Sequence, residues 1–479
     1  MNKKMIVYLL GKILQAEGLM LLLPTLVAVI YQESLVASYG GLACLLLVMG
    51  GLISLKAPKD KGIFIKEGLF IVGVSWVLLS FFGAVPLVVS GEMPHFADAF
   101  FEVVSGFTTT GATVLSDIDA LSHASLFWRS FTHWVGGMGI LVFTVAFIPV
   151  ASGRTMHILK AEMPGPIVGK LVSKTRVAAR ILYLLYGALT LLEVLFLLLG
   201  GMPFFDSLLN TFATAGTGGF TMSNAGIIGY HSPYLEGVLT VFMILFGVNF
   251  NLLFLVISGK GLMALKNEEL RWYLGIIAVA IALLTVNLMS VYDSVTTAFR
   301  YGAFQVASII TTTGFVTADY DQWPMFSQTV LLLLMFVGAS AGSTGGGMKV
   351  SRLVMVVKSG VKEIKRMLHP HGVITVDFEG APVSRKTLNN MHSYFILYAL
   401  VFCSALLVIS LENLDFHTTF SAVATTINNV GPGFNGVGPM QNFGGLRDLS
   451  KYTLSFTMLA GRLEIFPVLL LFSKYFWKE

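Results

Sequence analysis

Two kinds of apolar segment alternate along this chain in one order, and the order recurs four times. A long apolar run leads to a shorter one. A loop of Thr or Asn with Gly follows, and then a second long run. The first unit comprises residues 64–89, 96–107, a loop at 108–114 and 126–150. The second comprises 181–199, 204–214, a loop at 215–221 and 234–257. The third comprises 272–289, 295–310, a loop at 311–317 and 325–357, and the fourth 388–409, 418–427, a loop at 428–434 and 452–475. Two further apolar runs, 5–30 and 35–55, come first. The long runs suit a bilayer, which needs roughly 20 apolar residues per span, and the short ones cannot cross it. The pattern predicts an all-α integral membrane protein: four pseudo-symmetric membrane–pore loop–membrane repeats around one pore, preceded by two N-terminal helices. The expected divisions are 1–56 for the two-helix domain and 57–150, 151–258, 259–357 and 358–479 for the repeats.

Composition agrees. The chain is 55% hydrophobic and only 12% charged, against about 25% charged in soluble proteins. The net charge of +5 does not mark a nucleic-acid binder, because its distribution follows the membrane. Only Arg129, Arg300, Arg447 and Lys451 fall on one set of connections, and Lys349 and Arg462 fall inside apolar segments. The rest of the 31 Lys and Arg cluster on the other set and at the termini. This bias predicts a multi-pass protein of the cell inner (plasma) membrane with both termini cytoplasmic. The start, MNKKMIVYLLGKILQ, carries Lys12 inside its apolar run and no small-residue cleavage site stands out, so it reads as a retained helix. Cys44 and Cys403 both lie in apolar runs, which argues against a disulfide framework or a cysteine metal site.

The loops carry the chemistry. They read TTTGATV, AGTGGFT, TTTGFVT and NNVGPGF, with central glycines Gly111, Gly219, Gly314 and Gly431. Non-helical backbone at membrane depth must be buried in protein or line a wet cavity. Glycine accepts backbone angles that let carbonyls turn toward an axis, and a ring of carbonyls can strip and select a small cation. None of the loops contains a carboxylate, which a hard divalent ion would want. A monovalent cation is therefore expected, K⁺ before Na⁺. Asp98, Asp206, Asp293 and Asp415 stand near the starts of the short segments and are expected as helix N-caps. Short helices entering from outside would aim their partly negative C-terminal ends at the axis.

On these loops and repeats the chain resembles the TrkH/KtrB/HKT superfamily of potassium transporters over essentially its whole length. The two extra N-terminal helices bring it nearer to TrkH than to KtrB. The resemblance implies a pseudo-fourfold pore in one subunit, assembled as a homodimer with two separate pores, and K⁺ as the transported ion. The filter carbonyls would come from Thr109, Thr110 and Gly111; Thr217, Gly218 and Gly219; Thr312, Thr313 and Gly314; and Asn429, Val430 and Gly431. In the second loop either Gly218 or Gly219 could be the filter glycine, and Phe220, matching Phe315, favours Gly219. A glycine at position 111, where relatives that carry Na⁺ have Ser, implies K⁺.

The last long run of unit three is interrupted by GASAGSTGGGMK, residues 338–349. Glycines at Gly338, Gly342, Gly345, Gly346 and Gly347 each cost a helix about 1 kcal/mol against Ala, so the helix is expected to break in mid-membrane and form a gating loop. The segment lacks the G-x-x-x-x-G-K-[ST] spacing of a phosphate-binding loop. Arg462 sits in mid-run, where a charge normally faces a cavity or a partner. Glu464, two residues on, is a poor partner for it because residues two apart do not share a helix face. The resemblance implies that Arg462 is an electrostatic barrier below the filter, to which Lys349 could add. It also implies a cytosolic TrkA-like nucleotide-binding regulatory ring as partner. The basic stretch 358–386 reads first as a solvated linker; together with 154–180 it could also form a docking face. The chain itself has no strand-associated G-x-G-x-x-G. The motif HPHG at 369–372 offers two His, too few for a metal site. Competing readings are a KdpA-like subunit of a P-type K⁺ pump and a Na⁺-permeable or cation-coupled transporter. An intramembrane enzyme is disfavoured, since neither H-E-x-x-H nor G-x-S-x-G occurs.

Overall fold

Helices α1 (Lys3–Ile30) and α2 (Val36–Ile53) form an antiparallel hairpin at the side of the molecule. Their backbones meet at small residues. A Cβ on Gly50 would lie 2.5 Å from the Gly11 carbonyl oxygen, and one on Gly18 would lie 2.9 Å from that of Ala43. Association in lipid depends on such close packing, because the tails around the helices are as apolar as their side chains. The structure, a computed structural model, describes residues 2–60, 62–139, 175–370, 372 and 374–474. The end of the first unit, the boundary at 150, most of the basic stretch 154–180, His371 and Lys478 lie outside the described residues.

Each repeat opens with one long helix: α3 (Ile65–Val89), α6 (Thr175–Leu199), α11 (Glu268–Leu288) and α15 (Arg385–Ile409). Together with α1 and α2 these are the six described helices long and apolar enough to cross a membrane. The short segments are pore helices of 12 to 16 residues: α4 (Phe96–Phe107), α7 (Phe204–Gly216), α12 (Val295–Ile310) and α16 (Phe416–Asn428). Their inner halves are almost entirely buried.

The closing helices differ from expectation. The sequence marks a break only in the third, yet all four stop short at the same stage. Helix α5 (His123–Met138) ends at Gly139 with φ +77°. Helices α8 (Pro233–Phe246) and α9 (Phe250–Ile257) meet at 102°, and Asn249 caps the second by accepting from the Asn251 N–H at 2.9 Å. The third is α13 (Met325–Val337) and α14 (Val350–Leu368), divided by residues 338–349. The fourth is α17 (Asp448–Arg462) and α18 (Phe466–Leu471), with Glu464 and Ile465 at positive φ between them. Besides these, the short helix α10 (Gly261–Leu265) precedes α11, and a two-stranded hairpin, β1 (Asp377–Phe378) with β2 (Ala381–Pro382), precedes α15.

The expected Asp caps hold at one helix. Asp415 caps α16, its carboxylate accepting from the Thr418 N–H at 3.0 Å. Elsewhere the N-cap is His95, Pro203 or Ser294. Asp98 and Asp206 sit inside the first turn, where the helix dipole still favours them. There Asp98 pairs with Lys451 at 2.5 Å, and Asp206 accepts from the Tyr230 hydroxyl at 2.7 Å.

Candidate functional site

All four pore helices end in the same turn. The second residue past each helix, or the first, is left-handed: Thr109, Thr217, Thr312 and Asn429, with φ between +53° and +60°. The next residue returns its N–H to a carbonyl five residues back: Thr110 to Ser105, Gly218 to Ala213, Thr313 to Ser308 and Val430 to Thr425, at 2.8 to 2.9 Å. This is a Schellman C-cap. Glycine normally holds its left-handed position, and a β-branched Thr there is strained. One residue later the backbone is again at positive φ, at Gly111, Gly219, Gly314 and Gly431. In the second loop it is therefore Gly219, at +76°, that shares the register of the other three.

The same glycines close a ring. A Cβ on Gly111 would overlap the Gly218 carbonyl oxygen, one on Gly219 that of Thr313, and one on Gly314 that of Val430. A Cβ on Gly431 would lie 2.7 Å from the Thr110 oxygen, which returns the circuit to the first loop. Thr110, Gly218, Thr313 and Val430 thus set four equivalent carbonyls around one axis. The pore helices stop just before it, each presenting the partly negative end of its dipole. On the side away from residues 338–349 the ring opens into a vestibule of about 230 Å³, lined by the four glycines, Asn224 and Asn442.

Side chains behind the ring hold it in place, and the sequence alone did not single them out for this. Arg129, expected on an outer connection, is buried and pairs with buried Glu102 at 2.8 Å. Glu102 accepts from the Thr113 hydroxyl at 2.9 Å and the Val114 N–H at 2.9 Å, while the guanidinium lies 4.1 Å from the centre of the Phe220 ring. One ion pair therefore joins the first loop to the second. His133 meets the Gly106 carbonyl through Nδ1 at 2.9 Å and accepts from the Phe220 N–H through Nε2. Asn429 donates to the Thr110 hydroxyl at 2.9 Å, linking the fourth loop to the first. Buried polar pairs of this kind leave little sequence signal, because each partner sits alone in an apolar stretch.

Beneath the ring lies the segment 338–349, with Gly338, Gly342, Gly347 and Lys349 at positive φ. It touches the underside of three loops: the Thr217 hydroxyl donates to the Thr344 carbonyl at 3.0 Å, Gly346 N–H to the Thr312 hydroxyl at 2.6 Å, and Gly347 N–H to the Asn428 carbonyl at 2.9 Å. Gly345 stacks its backbone against Ala339 and the Thr311 carbonyl. The break between α8 and α9 receives the other side, with Ser340 N–H donating to Gly247 and Phe250 N–H to Gly342. Arg462 completes the crossing. It donates to Thr344 at 2.8 Å and, in the first repeat, to the Gly136 carbonyl at 2.5 Å. Lys349 is buried and donates to the Gly345 carbonyl. Glu464 pairs with Arg352. Buried Glu269, at the start of α11, accepts from Ala341 N–H at 2.7 Å and Ser351 N–H at 3.2 Å, clasping both ends of the segment. A cavity of about 70 Å³ remains between Gly136, Gly346, Lys349 and Arg462. Among the described residues, the segment thus lies directly under the ring, against its second, third and fourth loops.

Comparison with known proteins places this geometry. The TrkH family model, described as cation transport protein, matches residues 37–478. The chain is 36% identical over 466 residues to the Trk system potassium uptake protein TrkH of Salmonella typhimurium, covering 96% of each. It is 34% identical over 486 residues to TrkG of Escherichia coli, a Trk system potassium uptake protein, covering 99% of each. The crystal structure of the potassium transporter TrkH from Vibrio parahaemolyticus superposes with a TM-score of 0.89 at 33% identity, covering 100% of both chains.

Proposed function

Because this chain belongs to the TrkH family of cation transport proteins, we propose that it takes up potassium ions across the cell membrane through the pore on its fourfold axis. The observation that carries this reading is the closed ring at Thr110, Gly218, Thr313 and Val430. A K⁺ ion entering from the vestibule exchanges its water for these carbonyls and for those of Thr109, Gly111 and their counterparts. Neutral oxygens suit a monovalent ion, and four helix C-termini offset the cost of dehydration.

The segment 338–349 is the gate. It blocks the axis, and besides its buried contacts at Ala339 and Ala341 it is held by single hydrogen bonds from several repeats. Lys349 and Arg462 place positive charge where a dehydrated cation would leave the ring, so opening must move the segment and draw these charges aside. The gate is under the control of a cytosolic, nucleotide-binding, TrkA-like ring, as the family resemblance implies. The distribution of Lys and Arg supports an inner-membrane protein with both termini in the cytoplasm. A homodimer fits α14, which carries Val357, Val361, Ile364 and Leu368 on one exposed face. The repeat divisions at 57–150, 151–258, 259–357 and 358–479 follow the same reading.

The test is ion flux in liposomes holding the full chain, with and without the regulator. Rb⁺ or K⁺ uptake well above Na⁺ uptake, rising when the regulator and its nucleotide are added, is the expected result. Equal K⁺ and Na⁺ flux would overturn the filter assignment. Flux indifferent to any cytosolic partner would overturn the control.

A further inference from the structure

Where α9 leaves the membrane, the chain turns through Lys260, α10, Lys266 and Asn267 before α11 begins. Together with the β1–β2 hairpin this turn borders an open cleft of about 910 Å³, lined among others by Asn249, Lys260, Lys266, Arg271 and Glu379. Ligand-sized pockets run roughly 300–1,000 Å³. Its two acidic side chains are engaged. Glu379 accepts from the Glu268 and Glu269 N–H groups at 3.0 and 3.1 Å, and Glu268 pairs with Lys358. Lys260, Lys266 and Arg271 are exposed, and among the described residues they form no ion pair. The cleft therefore carries a net positive charge, its three cations facing one carboxylate, Glu379, that no cation pairs among the described residues.

Its rim is apolar. Leu262 is 78% exposed, Met263 62% and Leu265 61%, on a five-residue helix that water would not favour in this state. Trp272, half-exposed, follows Arg271 directly. Basic side chains beside bare aliphatic ones and a Trp mark the boundary between acyl chains and head groups. A protein partner with acidic side chains would satisfy the charges and leave the aliphatic rim without a counterpart.

We propose that this cleft binds the phosphate head group of an anionic phospholipid of the inner leaflet, with Lys260, Lys266 and Arg271 on the phosphate and Leu262, Met263 and Leu265 among the acyl chains. The leaflet rests on the orientation given under Proposed function. The site stands next to the gate: Asn249 in its wall lies against Gly342, and Glu379 in its rim caps the helix whose Glu269 clasps residues 341 and 351. An occupied site ties down the support on which the gating segment rests.

Native mass spectrometry of the full chain in detergent, titrated with phosphatidylglycerol, with phosphatidylcholine and with inorganic phosphate, tests the proposal. Phosphatidylglycerol adducts are expected in preference to phosphatidylcholine ones. They should weaken on the order of 100-fold in the triple variant Lys260→Gln, Lys266→Gln, Arg271→Gln, since each basic side chain near an anionic surface contributes about a factor of five. The variant Lys260→Arg, Lys266→Arg should keep them, which separates lost charge from lost fold. Equal adducts in wild type and the Gln variant would overturn the site. Binding of inorganic phosphate as tight as that of the lipid would overturn the lipid as its source. Cation flux in pure phosphatidylcholine vesicles reads the pore separately, so failure here and failure of the transport reading are distinguishable.

Discussion

The ring and the segment beneath it are built on opposite plans. Every repeat contributes equally to the ring, with the same helix cap, the same left-handed residue and the same glycine placed against the next loop's carbonyl. Below it, one repeat supplies twelve residues and the others supply attachment points. Symmetry with tight backbone contact makes a cage of fixed size. An asymmetric segment tied by scattered hydrogen bonds is easier to displace than a closed ring. In the proposed reading, discrimination falls to the first and closure to the second.

The comparison breaks first at Gly111. The substitution Gly111→Ser puts a side chain on the Gly218 carbonyl at φ +77°, and such strain costs about 1–3 kcal/mol. K⁺ over Na⁺ selectivity in a liposome flux assay should fall by on the order of ten- to a hundredfold; unchanged selectivity would remove Gly111 from the filter. Next comes the segment itself. Shortening it at Gly345–Gly347 takes away two of its contacts under the ring, at Thr312 and Asn428. Basal flux should rise by at least about tenfold with selectivity kept, and a pore as closed as before would sink the gate assignment. Arg462→Gln removes charged hydrogen bonds to Thr344 and Gly136, each worth about 1.5–3 kcal/mol. Flux without regulator should rise roughly tenfold, and a fall would instead make Arg462 a structural tie. Glu269→Ala leaves the N–H groups of Ala341 and Ser351 without an acceptor and should raise basal flux about threefold.

The smallest effect lies near the vestibule, beside Gly438. Half-buried Asp321 accepts from the Asn435 N–H at 3.0 Å, behind the fourth loop. Burial first, and then the charge of Asp319, push its carboxyl up to about 6, while the Asn435 hydrogen bond and then His417 act the other way. A pKa raised above its unfolded value means that the protonated form favours the folded state. That stability is present in acid and is lost as pH rises through about 6. The melting temperature should therefore fall by a degree or two between pH 4.5 and 7, and the fall should disappear in Asp321→Asn. Asp321 is partly exposed and screened by solvent, so the effect stays small. An equal fall in the variant would locate the titration elsewhere.

The sequence carried the ring plainly and the lower level only in part. Gly111, Gly219, Gly314 and Gly431 could be read from the loops because glycine is the chemical mark of the backbone geometry they adopt. The break at 338–349 could be read for the same reason. The break at Gly247–Asn249 could not, since a single Gly and Asn inside an apolar run fit an ordinary helix. The break at Glu464–Ile465 is less legible still: Ile at φ +65° contradicts its own propensity and is held there by tertiary contacts. Asp98 and Asp206 misled in a smaller way, because a first-turn Asp and an N-cap Asp look alike without coordinates. Glu102 pairs with Arg129 across 27 residues, and Glu269 reaches Ala341 and Ser351 across 72 and 82, a relation that periodicity does not express.

The fusion of four repeats into one polypeptide has a consequence for how such a pore can be closed. Were the pore assembled from four identical chains, any insertion in the third position would appear four times. Four twelve-residue plugs would then collide on the axis where there is room for one. A single chain with four unequal quarters is free of that restriction. In the proposed reading one quarter supplies the stopper, a second a socket at Gly247 and a third the arginine that latches it, while the four glycines keep one register.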